Sequence, residues 1–501
     1  MTQRFPTGTT AMGEVAPTIV VPLLCCLLAI PLGRRAAYLM WVAAPGNIAL
    51  TFAAAGKVMG GAILRDTLGG WPAPLGIEVR IDGLAAAFLC LSALVGGGIG
   101  LFAMRYFPTA AESRKGFAFW PLFFAVWTAV NAIFISSDLF NLYVALELLT
   151  LAAVAMVALE GKPGNIVAAV RYLLYALLGS LAFLAGVALL YGAYGVLDMQ
   201  LLGRAMTPDA AGHAAAALMT VGLFAKAAIF PLHAWLPSAH AGAPAPASAL
   251  LSALVVKAVF YVLFRLWFDV LSPLAGSELT TLFGLFGAGA IVFGSLLALR
   301  QDRLKLIIAY STVAQIGYLL LVFPLAGGAG NAQPWNASAW TGASLHALSH
   351  GLSKAGMFLA AGAMMLAAGD DRIESLRGLA RAVPMACFAF ALAAVSLMGL
   401  PPSGGFLAKY LMLTAAFAGG AWWWGVVLIV GGLLSAAYLF RPLAPLMMAR
   451  ADAAPPLTRV PRSLQFLPLL LAVAAILLGI VGGPYKLLQV GGPLAAKVGL
   501  Q

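Results

Sequence analysis

The fold of this chain is decided by the stretch from Val221 to Arg265, which reads VGLFAKAAIFPLHAWLPSAHAGAPAPASALLSALVVKAVFYVLFR. Two apolar runs carry one lysine each, Lys226 and Lys257, and a proline-rich segment containing Pro231 separates them. Proline removes a hydrogen bond from a helix, and lipid cannot supply a replacement. The stretch therefore predicts a lysine-bearing membrane helix that is broken by proline, followed by a second lysine-bearing span.

The composition of the whole chain indicates a polytopic membrane protein. The 501 residues are 62% hydrophobic and 9% charged, whereas soluble domains carry about 25% charged residues. Crossing the hydrocarbon core takes about 20 apolar residues, and we count about fourteen such runs, the first near Val15 and the last near Leu464. The net charge of +12 does not indicate nucleic-acid binding, because the basic residues stand singly between apolar runs, as topology signals do.

The basic residues predict how the spans are oriented. If the N-terminus lies on side A, the connections on side B carry most of the basic residues: Arg34, Arg35, Arg105, Arg114, Lys115, Arg300, Arg303, Lys305, Arg441, Arg450, Arg459 and Arg462. Lys486 and Lys497, near the end of the chain, are exceptions on side A. By the positive-inside rule side B is cytoplasmic. An even number of spans then places both termini on the non-cytoplasmic side of a bacterial inner membrane.

A second break matches the first. The segment SLMGLPPSGGFLAKYLML places Pro401 and Pro402 in the twelfth span, shortly before Lys409. The two breaks lie five spans apart, and an odd offset gives them opposite orientations in the membrane. Matching interrupted helices in two halves indicate an inverted-repeat transporter with its site near the middle of the membrane.

Several charged residues are predicted deep inside spans. Glu147 lies near the middle of FNLYVALELLTLAAVAMVAL, and the run SLHALSHGLSKAGMFLAAG sets His346, His350 and Lys354 four residues apart. Residues at that spacing share one face of a helix. A charge at the centre of a membrane helix costs about 2.5 to 3.5 kcal/mol, so such residues are expected to have a function.

Structural roles remain open for two of these features. Glu147 could pair with a lysine simply to hold two helices together. His233 and His240 flank the first break and could serve only to satisfy backbone groups there. We nevertheless interpret both histidines as candidate points of proton access.

Together the buried charges favour proton transport. A carboxylate about 4 Å from an amine attracts it by about 4 kcal/mol at an effective dielectric constant near 20, which is enough to decide whether the amine keeps its proton. Histidines suit a relay between lysines. The hypothesis is a lateral proton path through Glu147, Lys226, Lys257, His346, His350, Lys354 and Lys409.

Three segments closely resemble one family, the antiporter-like membrane subunits. They read AKAAIFPLHAWLPSAHAGAPAPASALLSALVVKAVFYVLFR, LHALSHGLSKAGMF and GLPPSGGFLAKYL. The family comprises large subunits of Mrp-type Na+/H+ antiporters, proton-pumping subunits of respiratory complex I and related subunits of membrane-bound hydrogenases. The resemblance implies an all-α fold of about fourteen transmembrane helices, with two inverted five-helix repeats and broken helices 7 and 12. The implied division is an N-terminal three-helix segment (1–115), two repeats (116–268 and 276–448) and a C-terminal helix and tail (449–501).

The resemblance also implies roles for individual residues. Glu147 and Lys226 match the coupling pair, Lys257 the central connecting lysine and Lys409 the terminal charge. His350 and Lys354 match the relay of the eleventh helix.

The segment GGWPAPLGI, which precedes Asp82, resembles the D-type members of the Mrp antiporters and the hydrogenase-associated subunits. We therefore expect a proton-translocating subunit of a multisubunit Na+/H+ antiporter. Its ions would be H+ and Na+, and its partners would be other membrane subunits and the lipid bilayer. The alternative is a proton-pumping subunit of complex I or of a membrane-bound hydrogenase, which would make the chain part of an oxidoreductase. A structural subunit that transports nothing is a third interpretation. The sequence shows no nucleophile–base set, metal cluster or nucleotide motif outside the spans, so we predict no cofactor, no metal and no catalytic chemistry of its own.

Overall fold

The structure is a computed structural model that describes residues 13–107, 113–327, 333–449 and 457–492. The predictions that concern the two termini, Arg450 and Lys497 lie outside these residues. Within the described part, apolar helices account for most of the chain. The predicted division into an N-terminal segment, two repeats and a tail stays a prediction.

The described residues of the first half of the chain form eleven α-helices. In chain order they are α1 (Pro17–Leu32), α2 (Met40–Met59), α3 (Gly83–Tyr106), α4 (Ser113–Ile135), α5 (Leu139–Ala158), α6 (Pro163–Tyr194), α7 (Met199–Ala205), α8 (Ala210–Lys226), α9 (Trp235–Gly242), α10 (Ala245–Leu250) and α11 (Val256–Arg265). Shorter turns join some of them: 3-10 turns at Gly33–Leu39 and Ser272–Leu274, and π-helical turns at Leu251–Val255 and Leu266–Val270.

The second half continues the helical bundle. Its helices are α12 (Ser277–Leu299), α13 (Leu304–Leu320), α14 (Val322–Ala326), α15 (Pro334–Ala368), α16 (Leu379–Ala382), α17 (Pro384–Met398), α18 (Gly404–Ala418), α19 (Trp422–Met447), α20 (Arg462–Leu477) and α21 (Gly483–Leu488). A 3-10 turn at Ile373–Leu376 precedes α16.

The number of membrane crossings agrees with the predicted fold. Ten helical segments of the described residues are long and apolar enough to span a membrane, and the first of them, Pro17–Met59, contains two helices, α1 and α2. Four shorter apolar helices add α8, the α17–α18 pair and α20. Counted in this way, with α17 and α18 as one broken span, the described chain crosses the membrane fourteen times.

Both predicted helix breaks are present. The helix α8 ends at Lys226 and α9 begins at Trp235, with Pro231 in the interruption between them. The helix α17 ends at Met398 and α18 begins at Gly404, and here Pro401 and Pro402 occupy the gap. The prediction of a broken seventh and a broken twelfth span is therefore confirmed.

One end of the bundle carries a β-hairpin and several capped helices. Strand β1 (Leu64–Leu68) pairs antiparallel with β2 (Ile77–Ile81). At the same end, four aspartates accept hydrogen bonds from backbone N–H groups of the first turns of α3, α5, α7 and α8: Asp82, Asp138, Asp198 and Asp209. Side chains of this type stabilise helix starts by about 1 kcal/mol each. This end corresponds to side A.

Lys305 differs from the prediction. The sequence places it among the basic residues of a side-B connection, but it lies in α13, is only 4% exposed and donates a hydrogen bond to the carbonyl oxygen of Ala243. The carbonyl is free to accept because α9 ends at Gly242 and α10 begins only at Ala245. Lys305 is therefore a buried contact between two helical segments.

Candidate functional site

Glu147 and Lys226 form an ion pair inside the bundle. The Nζ atom of Lys226 lies 3.0 Å from Oε1 of Glu147 and 2.8 Å from Oγ1 of Thr150, so α5 supplies both partners. Ser180 of α6 donates a hydrogen bond to the same carboxylate oxygen. The Lys226 side chain is 2% exposed and that of Glu147 is 21% exposed. Because Lys226 is the last residue of α8, this ion pair lies where the helix break begins.

Lys257 is fully buried in α11 and has a neutral partner. Its amine donates a hydrogen bond to the carbonyl oxygen of Ser252, within the π-helical turn Leu251–Val255. Turns of this kind shift the backbone hydrogen bonds and are frequent at functional sites. The hydroxyl of Ser252 lies 2.9 Å from that of Thr312 in α13. Lys257 is thereby connected to α13 through a single serine.

Lys354 lies in α15 and also contacts α13. Its amine donates a hydrogen bond to the carbonyl oxygen of Ile308 at 2.8 Å and another to the hydroxyl of Ser311. The lysine is fully buried. Lys354 therefore binds the Ser311 hydroxyl of α13 directly, whereas Lys257 is linked to the adjacent hydroxyl of Thr312 only through Ser252.

The two histidines of α15 stack on the face predicted from their spacing. The ring centroids of His346 and His350 are 5.9 Å apart. Nε2 of His346 lies 3.2 Å from the carbonyl oxygen of Gln315. Both ring nitrogens of His350 are buried and lack a hydrogen-bond partner within the described protein. The ring nitrogens of His350, which lies between His346 and Lys354 on α15, are thus free to donate or accept a hydrogen bond.

Lys409 lies in α18, and its amine reaches back to the second break. Its amine donates hydrogen bonds to the carbonyl oxygens of Leu397, at 2.9 Å, and Met398, at 3.2 Å, which are the last residues of α17. The same amine lies 4.3 Å from the centre of the Tyr318 ring. The end of a helix carries a partial negative charge, which stabilises a cation. Lys409 is therefore held by the broken helix itself.

The helix α13 connects these groups, and sequence reasoning missed it. Besides Lys305 and Tyr310, the polar side chains on it are Ser311, Thr312, Gln315 and Tyr318. They contact, in turn, Lys354, the Ser252 partner of Lys257, the Leu397 carbonyl that also binds Lys409, and the amine of Lys409. Spacings of three and four residues place such side chains on one helix face. That spacing, in a helix that contains one charged residue, was the signal available in the sequence.

The predicted access residues are both buried at the first break. The ring of His240 stacks on Phe358 with centroids 4.8 Å apart, and neither ring nitrogen has a partner among the described residues. His233 packs against Phe230 with ring centroids 5.5 Å apart. The structure places Lys305 near His240, since Lys305 binds Ala243 three residues further along the chain.

The predicted path is interrupted in both halves, because its second half contains His350, whose ring nitrogens have no hydrogen-bond partner among the described residues. In the described part of the chain, no direct hydrogen bond joins the Glu147–Lys226 pair to Lys257. Of the lysines on the predicted path, Lys226 alone has an ion pair within the described residues. The described residues contain no group of three or more His, Cys, Asp or Glu side chains arranged to hold a metal. The arrangement can hold and move protons between amines, imidazoles and hydroxyls.

Comparison with known proteins adds a family and several relatives. The model of a family described as "NADH:quinone oxidoreductase/Mrp antiporter, TM" matches residues 136–435. The chain is 35% identical over 493 residues to the N-type subunit of an NADH-quinone oxidoreductase from Desulforudis audaxviator, covering 92% of this chain and 96% of that protein. It is 30% identical over 353 residues to the D-type subunit of an Na(+)/H(+) antiporter from Alkalihalophilus pseudofirmus, covering 70% of this chain and 69% of that protein.

A solved structure shows the same fold. One chain of the Mrp complex from Dietzia sp. DQ12-45-1b superposes with a TM-score of 0.86, covering 97% of this chain and 99% of that chain. The two sequences are 24% identical, so the likeness bears on the fold alone.

Proposed function

Because the chain belongs to the NADH:quinone oxidoreductase/Mrp antiporter transmembrane family, we propose that it is a proton-translocating membrane subunit of a larger complex. The more specific role that we propose is the proton-translocating subunit of a multisubunit Na+/H+ antiporter. The observation that carries the proposal is the buried Glu147–Lys226 ion pair at the break after α8. A row of further buried basic side chains follows it.

The first step is the opening of the Glu147–Lys226 pair. While the pair is closed, the carboxylate and the hydroxyl of Thr150 hold the ammonium of Lys226. At an effective dielectric constant near 20 the attraction of such a pair is about 4 kcal/mol. When movement at the break separates the charges, the buried ammonium loses this stabilisation and releases its proton. Closing the pair loads Lys226 again.

The second step passes the proton along α13. Lys354 binds the Ser311 hydroxyl of α13, Lys257 is linked to Thr312 of α13 through Ser252, and the backbone of Gln315 lies beside His346. Buried polar atoms are normally hydrogen-bonded, and the unpartnered ring nitrogens of His350 suit bridging water. Lys409 ends the row at the second break. From there the proton leaves the subunit.

The antiporter role and its main alternative rest on different relatives. The relative named as part of an Na+/H+ antiporter supports exchange. The relative named as part of an NADH-quinone oxidoreductase matches nearly the whole chain, which favours a second candidate role, a proton pump that electron transfer drives. The same buried residues serve proton movement in either role.

Two measurements on one preparation test the proposed role. The chain is purified in mild detergent with the subunits that accompany it, those subunits are identified, and the complex is placed in proteoliposomes. An Na+ gradient should drive proton movement, and the accompanying subunits should contain no flavin or iron–sulfur protein. Proton movement that requires an electron donor, and ignores the Na+ gradient, would establish the second role instead. Absence of proton movement under both conditions would contradict the proposal as a whole.

A further inference from the structure

A large cavity lies at the side-A end of the bundle, away from the buried lysines. Its volume is about 1010 Å³, and it lies between the hairpin, the end of α4, α7, the end of α11 and α21. Five basic side chains line it, with one carboxylate, that of Asp269: the basic residues are Arg65, Arg80, Arg204, Arg265 and Lys486. The wall of the cavity is therefore predominantly basic.

Two of the arginines share one buried carboxylate. Asp82 accepts a hydrogen bond from Arg265, and its other oxygen accepts one from Nη2 of Arg80. Burial would raise the pKa of Asp82, but the two guanidinium groups outweigh it and hold that pKa well below its usual range. Arg265 also lies 3.1 Å from Asp269. The charges of these two arginines and two aspartates therefore largely cancel on this side of the cavity.

Two other basic residues at the cavity have no carboxylate partner. Arg65 pairs with Glu78 at 3.3 Å, whereas Arg204 and Lys486 form no ion pair within the described residues. Both are exposed, on α7 and α21. The nearby carboxylates of Asp138 and Asp198 do not line the cavity and accept hydrogen bonds from backbone N–H groups. Arg204 and Lys486 therefore face the cavity with free hydrogen-bond donors.

Neutral polar groups complete the lining. The side chains of Ser137, Gln200 and Gln489 lie at the cavity wall and make no hydrogen bond within the described protein. Gln200 lies on α7 with Arg204, Gln489 directly follows α21, which carries Lys486, and Ser137 follows α4, so these donors lie on three separate segments of the chain. A ligand with several acceptor oxygens would contact all three segments at once.

The position of these basic residues is unusual for a membrane protein. Basic residues are depleted on the non-cytoplasmic side of membrane proteins, which is the predicted side of this cavity. Of the six lysines and arginines that the described part of the chain places at this end, Lys57 is the one that does not line the cavity, and it pairs with Glu14. Lys486, which the topology prediction left as a basic residue on side A, therefore lies in the same cavity as most other basic residues of that side.

We propose that this cavity binds the phosphate group of an anionic phospholipid. Arginine and lysine donors suit phosphate oxygens, arginine in a bidentate manner. Tyr261, Phe268 and Asp269 line the cavity and belong to the last turns of the span Ala245–Val270, which places the cavity where spans leave the membrane. Its volume leaves room for a glycerol backbone beside the apolar side chains of Met199 and Phe268. This inference does not depend on the proposed transport function.

The test measures retained lipid on the purified complex. The complex is delipidated in detergent, exchanged into nanodiscs of phosphatidylcholine alone or with phosphatidylglycerol, and released for native mass spectrometry. The test variant is R204Q with K486Q, and the matched control is R34Q with R35Q, which removes two exposed charges from the opposite end. The wild type and the control should retain phosphatidylglycerol. The test variant should retain it at least about tenfold more weakly, which corresponds to about 1.4 kcal/mol, because it lacks two charged hydrogen-bond donors.

Four outcomes would overturn the proposal. Equal retention by the test variant would show that the cavity does not bind the lipid, and equal loss from the control would show that only overall charge matters. Displacement of the lipid by millimolar inorganic phosphate would assign the site to a free anion. If cross-linking from Lys486 instead captured an acidic segment of an accompanying subunit, with no lipid retained, the cavity would be a protein contact.

Discussion

Lys226 and Lys409 stand at the two matching helix breaks but are held by different kinds of partner. Lys226 lies 3.0 Å from the carboxylate of Glu147, whereas Lys409 binds the backbone carbonyls of Leu397 and Met398. The charge of Lys226 therefore depends on one side chain of another helix, which can move. That of Lys409 depends on the end of a broken helix, which can move only if the break rearranges. We infer that the first break loads protons and the second releases them.

Replacing Glu147 by glutamine should stop the loading of a proton onto Lys226. The substitution keeps the shape of the side chain and removes the charge, so the buried ammonium of Lys226 loses its ion-pair partner; breaking a buried pair typically costs about 3 to 5 kcal/mol. We expect Na+-driven proton uptake in proteoliposomes to fall at least about tenfold, which corresponds to about 1.4 kcal/mol. Glu14→Gln is the matched control, because it breaks the exposed Glu14–Lys57 pair. Equal loss in both variants would argue against a special role for Glu147.

Replacing Thr312 by valine should slow transfer along α13. Valine keeps the volume of threonine but removes the hydroxyl that lies 2.9 Å from Ser252. We expect uptake to fall several-fold while the complex assembles normally. Thr414→Val removes an exposed hydroxyl that binds only its own helix and should leave uptake unchanged. Full activity of the Thr312 variant would exclude this hydroxyl from the path.

Replacing Gln315 by leucine tests the link to the second break. The amide nitrogen lies 3.1 Å from the Leu397 carbonyl oxygen and 3.2 Å from Ser435 Oγ. In the leucine variant, the carbonyl oxygen of Leu397 no longer accepts from Gln315, although it still accepts from Lys409. We expect proton uptake to fall at least fivefold. The readout is initial uptake rate across pH 6 to 9, since a fault in packing alone would lower the rate equally at every pH. A pH-independent reduction would contradict the proposed link.

The ion pairs of Asp82 with Arg80 and Arg265 should stabilise the side-A end of the bundle throughout the neutral pH range. Because the pKa of Asp82 is lowered on folding, its contribution is fully present above the unfolded-state pKa of about 4 and is lost only as the pH falls through the lower folded-state value. Asp82→Asn should therefore lower the thermal unfolding temperature by a similar amount at pH 5.5 and at pH 8. The control Asp66→Asn removes a hairpin carboxylate that accepts from the backbone of Gly13 and should have little effect. A loss confined to one of the two pH values would contradict the assignment.

The features that depend on local sequence were predicted from it. Charge and hydropathy along the chain predicted the fourteen crossings, and the positions of Pro231, Pro401 and Pro402 predicted the two breaks, because both follow from what a helix in lipid can tolerate. The resemblance of three segments to antiporter-like subunits is confirmed by the family match. The roles assigned to individual residues stay predictions.

The partners of the buried charges could not be predicted in the same way. Ser311 lies against Lys354, and Thr312 and Gln315 bind the partners of Lys257 and Lys409, as a result of tertiary packing. The sequence does not show this, since hydroxyl and amide side chains are common in helices with no such role. Lys305 was misplaced because a lysine one residue inside a helix has the same sequence context whether it points to water or to the bundle. No strand was predicted for the hairpin, because its two strands are only five residues each.

The most direct measurement is proton uptake driven by an Na+ gradient in proteoliposomes that contain the whole complex with Lys226→Ala or Lys409→Ala. Lys57→Ala, which removes an exposed lysine from a surface ion pair, is the matched control, and the protein composition of each preparation is quantified. We expect both buried-lysine variants to assemble and to lose uptake, while the control keeps it. Wild-type uptake in both the Lys226 and the Lys409 variants would contradict a proton path through these lysines.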